Sequence, residues 1–116
     1  MNRRVVLVRD TDGIHKFKAV FPEGKTVHFG RKGYSDFTIH KDPARMKRYL
    51  VRHGGSSAPG ARGTRSRRRE KWGRSGQYTA GFWSRWLLWS RPSLKGAIAR
   101  TQSVLGRRII FRSLSK

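Results

Sequence analysis

The chain has no cysteine, very few acidic residues and no long apolar run, and each shortage excludes a class of protein. Without cysteine there are no disulfide staples, no Cys-containing zinc site and no thiol catalysis. Six Asp and Glu stand against 28 Lys and Arg in 116 residues, a formal net charge of +22. No segment approaches the roughly 18 apolar residues that span a bilayer. The longest apolar patch, Phe82 to Trp89, is short and interrupted by Arg85, so no membrane span is expected. The basic start is followed by only Val5 to Val8 before Arg9 and Asp10, too little apolar length for a signal peptide. Hydrophobic residues make up 35% of the chain, which suits one small domain or a modest core with a basic extension.

What the chain has in excess is positive charge. So one-sided a balance repels itself in a compact state and calls for counterions or an anionic partner. Phosphates are the most direct neutralisers, which points to nucleic acid or a nucleoprotein assembly. Anionic membrane surfaces and acidic proteins are the other polyanions that fit. Charge by itself does not separate DNA from RNA.

The hydropathy pattern predicts an α+β fold: a small antiparallel sheet, about three short helices and a basic flexible segment. Val5 to Val8 is a β-branched run closed by Asp10-Thr11-Asp12-Gly13. Lys16 to Phe21 sets Phe17, Ala19 and Phe21 on one face and lysines on the other. Pro22-Glu23-Gly24-Lys25 is a turn, after which Thr26 to Phe29 returns, completing a three-stranded meander. Gly33 to Phe37 reads as a loop anchored by Tyr34 and Phe37. Asp42-Pro43 starts a helix that runs to His53, with Met46, Tyr49 and Leu50 on its apolar face. A helix capped by Thr79 is expected to Trp89, another from Pro92 or Ser93 to Leu105, and a final strand over Arg107 to Arg112. The organisation read from this is an N-terminal meander plus helix (1–53), a basic Gly/Ser/Arg-rich linker (54–76), and an aromatic helical segment with a strand (77–116) packing on the same core.

Arg65 to Lys71 is the densest charge run. Guanidinium groups bind phosphates bidentately, and a flexible basic segment can follow a polyanion backbone and order on it. The candidate anion-binding set is therefore Arg62, Arg65, Arg67, Arg68, Arg69, Lys71 and Arg74 in the arm, with Arg45, Lys47, Arg48 and Arg52 on the first long helix and Arg85 beside the tryptophans. A solvated linker or a nuclear-localisation signal has the same composition. Trp83, Trp86 and Trp89 recur at i, i+3, i+6; stacking on bases is possible, but a chain poor in aliphatics needs large residues for its core. A protein-interaction anchor lies between those two readings. His15, His28, His40 and His53 match no common zinc spacing, and the carboxylates form no acid/base pair, so neither metal, cofactor nor enzymatic activity is expected.

Several strings together carry a resemblance: Val27-His28-Phe29-Gly30, Gly33 to Asp42, Arg48 to His53, and Thr79 to Trp89 with Arg91-Pro92-Ser93-Leu94. In these the sequence resembles small basic proteins encoded by large nucleocytoplasmic DNA viruses of algae and amoebae, a family without an assigned activity. The resemblance covers roughly residues 17 to 98 and is most specific over Ala80 to Leu94; Gly54 to Thr64 departs from it as an insertion. It implies a non-enzymatic virion component, either a minor capsid protein touching acidic coat surfaces or a binder of packaged nucleic acid. The alternative assembly is the ribosome, where a basic extension threads between RNA helices.

Overall fold

Val5 to Val8 opens strand β1 (Val5–Arg9), and the turn at Asp12 and Gly13 returns the chain as β2 (His15–Val20). A second turn leads to β3 (Thr26–Arg31), antiparallel to β2. The computed structural model describes residues 3–54 and 71–112, and its architecture is α+β. A fourth strand, β4 (Ile109–Arg112), completes a sheet of order β3-β2-β1-β4. The meander is antiparallel throughout, with Leu7 opposite Ala19 and Phe17 opposite Phe29. The expected antiparallel sheet is corrected at its last strand: β4 runs parallel to β1, Val5 opposite Ile109. It enters the sheet from a helix, the crossover connection that parallel pairing requires.

Alternation sends Val5, Leu7, Phe17, Ala19, Val27, Phe29 and Ile109 to one face, where they are buried. The helical segments of the second half close over that face, while the longer helix that follows the meander packs in a separate cluster against Trp72 and Trp89. Helix α1 (Phe37–His40) and α2 (Pro43–Gly54) follow the meander. After a 3-10 turn at Arg74–Gly76, α3 (Ala80–Trp83) passes into a π-helical turn (Ser84–Leu88), and α4 (Leu94–Leu105) leads to β4. Phe82, Trp83, Leu87, Leu88 and Leu105 from these elements join the strand residues in one core.

Thr79 caps α3 as its sequence suggests, accepting from the Phe82 N–H at 3.3 Å. The expected single helix to Trp89 instead widens, with the Trp89 N–H donating to the Ser84 carbonyl at 3.1 Å. That i→i+5 turn brings Trp83, Leu87 and Leu88 together into the core. Loop anchoring is also corrected in part. Phe37 is buried, whereas Tyr34 is 65% exposed.

Candidate nucleic-acid interface

Helix α2 carries its functional side chains by simple periodicity. Asp42 starts it, accepting from the Ala44 N–H at 3.0 Å. Met46, Tyr49 and Leu50 turn inward with Trp72 and Trp89. Trp89 stacks on Tyr49 at 4.5 Å and 6°, and Tyr49 on His53 at 4.3 Å and 25°. The remaining sides are cationic: Arg45, Lys47, Arg48 and Arg52 are all exposed. Arg45, Arg48 and Arg52 fall at i, i+3, i+7 and form one line about 10 Å long at the helical rise. Beside α2 a groove draws in Arg31 from β3 as well as Arg52 and Trp89. Arg31 lies over the exposed Tyr34 ring at 5.6 Å, a guanidinium–aromatic platform open to solvent.

The acidic side chains are committed elsewhere. Glu23 takes Arg107 at 2.7 and 2.8 Å, and Asp36 takes Lys16 at 2.5 Å. Asp10 takes His28 Nδ1 at 2.5 Å and Asp12 takes His15 Nδ1 at 2.6 Å. With Asp42 on the helix start, each of the five described carboxylates has an internal partner. Glu70 lies outside the described residues.

Arg85 is turned inward. Its guanidinium lies 4.2 Å from the Trp86 ring and 5.3 Å from the Trp72 ring, and donates to the Trp89 carbonyl at 2.8 Å. Burial lowers its pKa to about 10, assisted by the charges of Arg100 and Arg91. It remains charged at neutral pH, serving as a strut between tryptophans. Trp83 is fully buried, and its Nε1 donates to the Gln77 carbonyl at 2.8 Å. Trp86 and Trp89 are half-buried against the same core, Trp86 donating to the Trp72 carbonyl at 2.6 Å. The three tryptophans therefore pack as core and its rim.

Of the arm, Lys71 and Arg74 are described and both are exposed. The Arg74 guanidinium rests against Gly106, the left-handed residue (φ 73°) that ends α4, where a Cβ would come within 2.7 Å of it. Arg62, Arg65, Arg67, Arg68 and Arg69 lie outside the described residues. The linear spacing of histidines hid one cluster: the ligating atoms of Asp10, Asp12, His15 and His28 lie within 4.8 Å of one another. Among the described residues no helix is long and apolar enough to cross a membrane.

Residues 5–53, from β1 to within one residue of the end of α2, match a family of unknown function (DUF5754). The match takes in the cationic helix but not Trp72 and Trp89, against which the helix packs. No curated protein and no solved structure matches the chain.

Proposed function

We propose that this protein is a non-enzymatic structural component of a nucleic-acid-containing assembly, binding the phosphate backbone through α2 and the basic arm. One observation carries the reading: the five described carboxylates all have partners within the protein, while Arg45, Lys47 and Arg48 stand exposed together on one stretch of α2. Arg45 and Arg48 are about 4.5 Å apart along the helix axis, close to the roughly 3.4 Å between nucleotides of one strand, so the two can serve adjacent phosphates. Such contacts supply affinity and registration and leave sequence unread. The assembly we infer, on the resemblance of Gly33 to Asp42 and Ala80 to Leu94, is the particle of a large DNA virus. A minor capsid role would direct the same cations to acidic coat surfaces.

Fluorescence-anisotropy titrations of duplex DNA and of RNA across a salt series test the reading. Binding to DNA should fall linearly in log K against log salt, by about 0.9 per phosphate contact. Replacing Arg45, Lys47 and Arg48 with Gln should lower that slope by about 0.9 for each contact removed. A slope unchanged in this variant, or no DNA binding at low salt, would overturn the proposal. A strong preference for RNA would move the assembly to the ribosome.

A further inference from the structure

The hairpin end of the sheet holds a feature that polyanion binding does not use. In a chain with only six carboxylates and four histidines, two of each converge at the β1–β2 turn and the neighbouring stretch of β3. From the geometry we infer a binding site for a single divalent transition-metal ion of the zinc type, ligated by Asp10, Asp12, His15 and His28.

The two aspartates are arranged alike. Asp12 Oδ1 accepts the Ile14 and His15 backbone N–H groups at 2.8 Å each, and Asp10 Oδ1 accepts the Asp12 N–H at 3.2 Å. Each carboxylate is thus held by one oxygen while its Oδ2 is presented to an imidazole. Asp10 is held hardest, its side chain only 2% exposed. Both imidazoles answer with Nδ1: His15 at 2.6 Å from Asp12 Oδ2, and His28 at 2.5 Å from Asp10 Oδ2 and 3.8 Å from Asp12 Oδ2. The rings stand 5.5 Å apart, tilted by 43°, so neither blocks the other's access to the centre.

Tetrahedral ligation with bonds of about 2.0–2.1 Å sets donors about 3.3 Å apart. The hydrogen-bonded pairs lie inside that spacing, His28 and Asp12 lie outside it at 3.8 Å, and all four atoms fall within 4.8 Å, so adjustments of about 1.5 Å or less set the cage around an ion. Coordination requires each Nδ1 lone pair, so each bound ring is neutral with its proton on Nε2: a neutral ring protonated at Nδ1 changes tautomer with no net release, and an imidazolium gives one proton to solvent. Two imidazoles with two carboxylates favour zinc over the hard, oxygen-seeking cations. The backbone N–H groups on the Oδ1 atoms orient the carboxylates as outer-shell partners do. Two carboxylates and two neutral imidazoles carry −2, which a divalent ion neutralises. Lys18, paired across the sheet with His28, opposes binding and limits its affinity; Arg9 is drawn off over the Phe17 and Phe111 rings.

The test uses the full chain freed of nucleic acid and metal, titrated with Zn2+ by calorimetry and with Co2+ by visible absorption. One ion should bind per chain, with the intense visible band of tetrahedral Co2+. His28 is partly exposed, so His28→Ala should stay folded by circular dichroism and bind more than about 100-fold more weakly. His53→Ala should bind as the parent does. No Zn2+ heat and no tetrahedral Co2+ band would overturn the site, leaving two hydrogen-bonded pairs in a turn. Binding unchanged in His28→Ala would place the metal elsewhere and overturn it equally.

Discussion

Glu23 occupies a surface turn, yet its carboxylate takes both terminal nitrogens of the buried Arg107 and the Tyr78 hydroxyl. Those hydrogen bonds, Arg107 first, lower its pKa from 4.5 to about 2. A carboxylate depressed in the folded state contributes stability that is complete above its unfolded pKa and disappears as pH falls through the folded one. The Glu23 contribution should therefore fade between pH 4.5 and about 2. Glu23→Gln should have a lower Tm at neutral pH and a flatter loss of Tm across that window. A variant that loses stability with acid as steeply as the parent would show that the pair is not responsible. Its partners stand 84 residues apart, and nothing local in Pro22-Glu23-Gly24-Lys25 announces them. The same holds for Lys16 with Asp36 and for His28 with Asp10, separated by 20 and 18 residues. Charge composition was legible in the sequence; which carboxylates were already occupied was not, because pairing is decided by the sheet register and the helix positions.

Elements whose signal is repeated along several turns were legible. The period-2 pattern of β2 and the Met46–Tyr49–Leu50 face of α2 each place several residues at once. Four-residue α1 was not, because it depends on Asp36, buried, capping Thr38 and receiving Lys16. The π-helical turn was not legible either, since its residues read as an ordinary helical continuation until Leu87 and Leu88 must both meet the sheet. Helix α2 depends on a contact with this irregular segment, the stacked Tyr49 and Trp89. Trp89→Ala should cost about 2 kcal/mol, below the 3–5 of a fully buried tryptophan. The loss should appear mainly as faster amide exchange in α2, with β1 and β2 still protected. Uniform loss of protection across sheet and helix would show that α2 does not open separately.

At the scale of the whole molecule, the closing contact of the sheet joins residues far apart in the chain: β1 receives β4, with Val5 opposite Ile109. The meander is local and can form early, whereas that pairing must close a loop of about a hundred residues. Closure entropy grows only slowly with length, so the Gly54–Thr64 stretch of sequence adds little to it. Until β4 arrives, however, one edge of β1 offers the unpaired backbone of Val5-Val6-Leu7-Val8, a template for another chain's strand. Copies carrying +22 repel one another at that stage, and salt weakens the repulsion. Refolding from denaturant should scatter more light as salt increases, and scattering independent of salt would contradict this. If that holds, the late β1–β4 pairing gives the excess charge a task in time: it keeps unfinished molecules apart while the edge of β1 is open.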